Sequence, residues 1–389
     1  MTKKWSSRLT FFAFVVLMVG LGSNDSLRGI FSTIFQEHFS LTTTQLGLIV
    51  TASYIGNLVF LLVGGNLSTR FSKKRVLQVL ILIWMAALAL FAFTSNYTVL
   101  LIGMALALGS STLLNTTMNL ITPLLFATAP GFFVNFLFFT QEIGTSGSQY
   151  ILGSHADGFA FWQYTNLVLL ILGAVAFVLL LFCNVPEEAA DSADTPAQKG
   201  GYDWRIIVPY VLVFGFYFIA EHGVMNWMVA YGVDGLGLPQ ASAAKYLSVF
   251  FGGMMIGRLC LSPLVDKLGA LKSLAAFGGV SCVLYLIGSL GGAVTMPVWA
   301  ISGLSFSILY PTLVMSIRLY FPAQQVSGAA GTILSIASLA DILFNVGFGK
   351  LVDMAGYAVS IRVLPLSVLA FFIVFMLFTK FCKPTQKLK

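Results

Sequence analysis

"YIGNLVFLLVGGNLSTRFSKKRVL", residues 54–77, runs from one apolar stretch through a short basic turn into another. At a constant offset of 197 it meets "FGGMMIGRLCLSPLVDKLGALKSL", residues 251–274: Gly56 falls on Gly253, Leu67 on Leu264, Arg70 on Lys267 and Leu77 on Leu274. Each copy joins two long apolar runs, and two copies in one chain point to a fold built twice. The surrounding composition agrees. Of 389 residues, 58% are hydrophobic and 9% charged, where a soluble domain carries about 25% charged residues. Mean hydropathy is +0.92. Runs of about 20 apolar residues, each sufficient for a hydrocarbon core of about 30 Å, recur along the chain. A β-barrel would instead show short alternating segments. The first run is too long and too polar for a removable signal peptide. The expectation is an all-α polytopic membrane protein with 12 transmembrane helices.

Spans are predicted near 8–35, 44–66, 75–94, 97–125, 130–153, 161–183, 204–232, 242–265, 271–290, 294–320, 326–351 and 358–381. Between the sixth and seventh lies "NVPEEAADSADTPAQKGGYD", 184–203, polar and without apolar period, which reads as a linker loop. It separates a first six-helix bundle, 1–183, from a second, 204–389. Each repeat sits between the second and third span of its half. Repeats of the same topology imply pseudo-symmetric halves related by an axis along the membrane normal, with a substrate site expected between them near the midplane.

The net charge of +7 is unevenly distributed. With the N-terminus inside, inner loops and tails hold 16 of the 21 Lys and Arg; Arg28, Lys245, Arg258, Lys350 and Arg362 are the rest. This bias places both termini in the cytoplasm, and the chain in the cytoplasmic membrane as a multi-pass protein. It also accounts for the charge without nucleic acid. Cys183, Cys260, Cys282 and Cys382 lie in or at the ends of apolar runs without paired spacing and are expected to be buried structural thiols rather than metal ligands or disulfides.

The two short loops resemble the G-x-L-x-D-R-x-G-R-R/K signature of the major facilitator superfamily. Gly65, Leu67, Arg70, Lys73 and Lys74 match in the first copy, with Thr69 in place of the aspartate and Ser72 in place of the glycine. The second keeps Leu264, Asp266, Lys267 and Gly269. Four further stretches resemble the fucose permease-like branch, which includes sugar:proton symporters. These are "AEHGVMNWMVAY" (220–231), similar to its E-x-x-x-x-x-W, "FFGGMMIGRL" (250–259), similar to its G-x-x-x-G-R, "SILYPT" (307–312), similar to its Y/F-P turn, and "VNFLFFTQEIG" (134–144), similar to its fifth span. The G-x-x-x-G-P run of many drug antiporters is missing from the fifth span, as is an arginine before "GMALALG" (103–109) in the fourth.

Ionisable residues inside spans are costly, by ~2.5–3.5 kcal/mol on insertion scales, and mark bundle interiors or watery cavities. Asp25 and Arg28 lie in "GLGSNDSLRG", 20–29. Asp25 matches the first-span aspartate of the fucose permease-like branch, which the resemblance implicates in proton coupling. The alternative is an ion pair with Arg28 at i+3 that only neutralises charge. Glycines 20, 22 and 29 fit close helix packing on either reading. The branch's fourth-span glutamate is missing here. In its place, Ser111, Asn115 and Asn119 form an i, i+4, i+8 stripe. Amides and hydroxyls there can bond sugar hydroxyls, or equally a neighbouring helix, but cannot take up a proton at neutral pH. Glu142 is the second proton-coupling candidate, on a face shared with Asn135, Ser146 and Gln149. Asp341 is the third, in a row with Ser338 and Asn345. Glu221, Asn226 and Trp227, with His222 and Tyr217 nearby, combine aromatic faces and polar groups as sugar pockets do. Trp227 is equally explained as packing. Glu221 and Arg258 are expected to pair as a structural lock. Arg70, Lys73 and Lys74, and in the second copy Asp266 and Lys267, are expected at gates; simple positive-inside anchoring is the alternative for the first set.

Other classes fit less well. No P-loop, H-E-x-x-H or Cys/His metal spacing occurs, and the three histidines, at 38, 155 and 222, are scattered, so catalysis is not expected. A sensor would bind a ligand without flux, and the short tails offer it no output domain. The expectation is a secondary active transporter of a small polar solute, a sugar or related compound, by alternating access with proton symport. The alternative is proton-driven efflux or exchange of an amphipathic compound, which the 35 phenylalanines would suit. No cofactor is expected beyond the proton gradient. The expected partners are solute, proton and lipid, and a monomer suffices.

Overall fold

The computed structural model describes residues 3–126, 130–183, 185 and 202–384, without the side chains of 3–6, 62–70, 123, 130–132, 135, 266, 323, 324, 327 and 341. The chain forms two compact units, Met1–Asp194 and Thr195–Lys389. Most of the expected linker lies outside the described residues.

The first unit holds α1 (Lys3–Ile30), α2 (Ser32–Phe39), α3 (Thr43–Arg70), α4 (Lys73–Phe93), α5 (Tyr97–Leu125), α6 (Pro130–Ile151) and α7 (Phe159–Leu181). The second holds α8 (Trp204–Ala230), continued by a π turn over Tyr231–Gly235, then α9 (Gln240–Leu268), α10 (Ala270–Leu290), α11 (Met296–Ile301), α12 (Gly303–Phe306), α13 (Leu309–Ser316), α14 (Ala323–Ala355), α15 (Tyr357–Ser360) and α16 (Val363–Phe381). No strand occurs among the described residues. Eleven segments among them are long and apolar enough to cross a membrane. The 22-residue α6 stands in order between the fourth and sixth of the expected twelve.

Three spans depart from single straight helices. The first does not run to 35; it breaks at Phe31, where the Ser32 hydroxyl bonds the Gly29 carbonyl at 2.8 Å, and α2 then ends on Ser40 in the left-handed region, φ 50°. The tenth, expected over 294–320, is split into α11, α12 and α13. Pro311 has no N–H to give residue 307 and its ring crowds that carbonyl. Ser302, Ser305 and Ser307 each turn a hydroxyl back to the carbonyl three residues earlier, which competes with the helical ladder. The twelfth, expected over 358–381, is divided between α15 and α16, with Pro365 in the first turn of α16.

Packing repeats in the two units. In the first, α3 lies against α5, α1 against α6 and α7, and α4 against α5 and α7. In the second, α9 lies against α12, α8 against α14 and α16, and α10 against α11 and α16. The partners correspond span for span. Glycines make the closest approaches. A methyl group on Gly56 would stand 2.0 Å from the Ala105 carbonyl oxygen, and one on Gly253 would stand 3.0 Å from the Leu304 nitrogen. The residues matched by the repeat therefore do the same thing: each lets the second span of its half close on the fourth. In the first bundle, Gly22 and Gly144 would each bring a methyl within 2.1 Å of a carbonyl on the facing helix. Such contacts depend on small residues, since lipid gives helices no hydrophobic reason to associate. The outer faces are apolar. On α7, Tyr164, Val168, Ile171, Val175 and Val178 are exposed at helical spacing, as a lipid-facing stripe is.

Candidate functional site

In the first unit, α1 carries Asp25 toward α5. The Ser111 hydroxyl stands 3.4 Å from each carboxylate oxygen, a long bifurcated contact. One turn further along α5, the Asn115 amide donates to the Gln141 side-chain oxygen on α6 at 2.7 Å, and the Asn119 amide donates to the Asn115 oxygen at 2.6 Å. The predicted stripe is thus hydrogen-bonded in two parts, Ser111 to Asp25 and the pair Asn115–Asn119 to Gln141, a residue the sequence reading did not select. Gln141 lies one position before Glu142, about 100° round the helix from the chosen row, and its adjacency to that row was the available signal. The α1–α6 seam is held by Ser26–Ser148 at 2.6 Å, Ser23 to the Gly144 carbonyl at 3.2 Å and Thr145 to the Gly22 carbonyl at 3.2 Å.

Arg28 also meets α3. Its guanidinium lies 5.6 Å from the centre of the Tyr54 ring on α3, it is buried, and its Nε has no hydrogen-bond partner. A cation over an aromatic face gains about 2 kcal/mol when desolvated, which offsets part of the burial cost. Glu142 and Ser146 are half-buried on α6, while Gln149 is fully buried with neither end of its amide hydrogen-bonded. The Asn119 side-chain oxygen is likewise buried without a partner. Unsatisfied buried amides cost about 1–3 kcal/mol each, and Gln36, Asn57 and Asn166 in the same unit also bury an unpartnered amide oxygen. The side chains of Asn135 and Asp341 lie outside the described residues.

In the second unit the Trp227 indole N–H donates to the Asn345 side-chain oxygen at 2.9 Å, both residues are fully buried, and the indole packs on Phe348. The structure brings these two candidates together as a pair inside the bundle. Asn226 is also buried. Glu221 and Arg258 gather around the same tyrosines: both lie within electrostatic range of Tyr217 and Tyr310. Arg258 also donates from Nε to the Ser307 carbonyl at 3.4 Å, at the break in the tenth span. Tyr217 is buried and stacks on Phe306 at 4.9 Å. His222 stacks on Phe218 at 5.4 Å. Tyr285, Tyr310 and Ser307 were not selected from the sequence, because they come to this cluster from other helices. Among the described residues no three His, Cys, Asp or Glu form a metal-holding group. Cys183 and Cys282 are buried as expected, whereas Cys260 is exposed on α9 and Cys382, just past the end of α16, is half-exposed.

The two signature turns differ in detail. Ser72, in the place of the usual glycine, has φ −58° and caps α4 by accepting from the Arg75 N–H. Gly269, which the second copy keeps, has φ +81° between α9 and α10, a backbone region that disfavours any side chain. Lys74 donates to the Leu181 and Cys183 carbonyls at 3.0 and 2.7 Å, closing the C-terminal end of α7. Lys73 is buried and Lys267 exposed; the side chains of Arg70 and Asp266 lie outside the described residues.

Comparison with known proteins agrees with this architecture. The family model described as Major Facilitator Superfamily matches residues 10–344. A glucose/galactose transporter of Brucella abortus biovar 1 (strain 9-941) is 26% identical over 341 residues, covering 82% of this chain and 81% of that protein. The L-fucose-proton symporter of Escherichia coli (strain K12) is 24% identical over 332 residues, covering 74% and 75%. The crystal structure of a D-xylose-proton symporter superposes with a TM-score of 0.78 at 15% identity, over 98% of each chain. With the helical repeat, the signature turns and a family match over most of its length, the chain belongs to the Major Facilitator Superfamily.

Proposed function

We propose that this chain is a proton-coupled symporter that carries a monosaccharide or closely related polar solute across the cytoplasmic membrane by alternating access, as a monomer with both termini in the cytoplasm. The observation that carries the reading is the polar face of α5 inside a bundle of membrane helices, where Ser111 meets the Asp25 carboxylate and Asn115, Asn119 and Gln141 are linked by hydrogen bonds. Amides that donate and accept match sugar hydroxyls, which do the same. Asp25 is the leading protonation site. Taking up a proton removes its charge and makes its carboxyl a donor toward α5. Glu142 is the second candidate and Asp341 the third. The sugar and proton substrates printed for the relatives support the assignment of class, and the proton gradient supplies the energy without a cofactor.

The aromatic group Tyr217, Phe218, Phe306 and Tyr310 in the second unit favours a second reading, efflux or exchange of a small amphipathic compound. Proteoliposomes separate the two. Under an imposed inward proton gradient, a panel of labelled neutral sugars and polyols is offered outside. Accumulation of one sugar above equilibrium, collapsed by a protonophore, is the expected result. Gradient-driven loss of a preloaded amphipathic dye, with no sugar accumulated, would replace symport by efflux.

A further inference from the structure

We propose that the outer groove between α3 and α4 is a binding site for one anionic phospholipid, with acyl chain in the groove and phosphate on Arg75. The groove exists because of how the first bundle packs. α3 rests on α5, α4 rests on α5 and α7, and α3 and α4 scarcely meet. What remains between them is a cavity of about 830 Å³. Val59 and Phe60 form one wall, Val79 and Leu82 the other, with Leu113 of α5 and Phe177 of α7 also lining it. Leu113 is buried, whereas Val59, Val79 and Leu82 are each about half exposed. The groove therefore has a protein floor and opens on the apolar outer face, where lipid chains lie.

The polarity of its described lining is confined to one end. Among the described residues Arg75 and Gln78 are the polar lining groups, both in the first two turns of α4. From Arg75 to Ile83 the lining follows α4 for about 12 Å at 1.5 Å per residue. The neighbouring Lys74 is engaged by the α7 carbonyls, while Arg75 is exposed at the mouth. The N-terminal end of α4 adds its partial positive charge at the same place. A cation at one end of an apolar trough matches an amphiphile with one anionic head. It does not match a polar solute, which would find no partners beyond Arg75 and Gln78 among the described lining residues. Basic pockets between membrane helices on the cytoplasmic side are suited to anionic head groups.

The test is native mass spectrometry of the full chain in mild detergent, titrated with phosphatidylglycerol or phosphatidylcholine of the same acyl composition. The expected result is one retained phosphatidylglycerol per chain, held about five-fold more tightly than phosphatidylcholine, the factor given by about 1 kcal/mol per basic residue. Arg75→Gln should bring that ratio to one. Val79→Trp should fill the trough and weaken retention of both lipids; Leu82→Trp is the substitute where thermal melting shows the first variant unfolded. Equal binding of the two lipids by the unaltered protein, or a preference that survives Arg75→Gln, would overturn the proposal. Transport is not read in this experiment, so its failure leaves the symport reading untouched.

Discussion

At the residue scale, Asp25 and Trp227 illustrate how far a sequence speaks for a side chain. A carboxylate in an apolar span announces itself by cost alone, and Asp25 does sit beside the polar face of α5. Asp25→Asn is predicted to abolish proton-driven accumulation while leaving solute exchange between equal pools intact, because the amide cannot take up a proton but keeps its hydrogen bonds. Loss of exchange together with accumulation would make Asp25 structural. Asn115→Ala removes the centre of the hydrogen-bonded series. It should raise the KM for the transported solute by about ten-fold, the effect of one hydrogen bond of about 1.5 kcal/mol, with maximal rate little changed. Trp227 reads in the sequence as sugar contact or packing, and the pair with Asn345 favours packing. Trp227→Phe removes the indole donor that the buried Asn345 oxygen accepts from. It should lower stability by about 1–3 kcal/mol, measured by thermal melting in detergent, without moving KM. A large KM change at unaltered melting temperature would return Trp227 to the substrate site.

At the element scale, the glycines set which helices can touch. Gly22 faces the Gln141 backbone so closely that a methyl group would stand 2.1 Å from its carbonyl oxygen, whereas at Gly147 nothing lies within 4 Å. Gly22→Ala is predicted to lower the melting temperature by the equivalent of about 1–3 kcal/mol, the usual cost of overpacking. Gly147→Ala should melt with the unaltered protein. Equal melting of all three would mean that the α1–α6 seam is not held at the approach seen here. Helix existence was legible from apolar run length, because the bilayer demands it. The breaks at Phe31 and in the tenth span were not. Run length is blind to serine hydroxyls that compete for carbonyls, and Pro311 marks a kink without saying that three pieces result. That Tyr285 and Tyr310 come to Glu221 was hidden for a different reason: periodicity orders residues on one helix, as it placed Tyr217, and is silent about which helix supplies a neighbour.

At the scale of the whole molecule, the repeat at an offset of 197 was the most informative feature of the sequence. It paired Gly56 with Gly253 before any helix was placed, and both prove to be where second and fourth spans close. The departures from the signature also acquire reasons, since Ser72 caps a helix where Gly269 takes a positive φ. The central claim, coupling of solute to proton through Asp25, is tested most directly by external pH in lightly buffered, de-energised cells making the protein, with sugars and polyols added one at a time. Symport predicts alkalinisation on addition of one compound and its loss in Asp25→Asn. No pH change across the panel, from protein confirmed in the membrane, would contradict it.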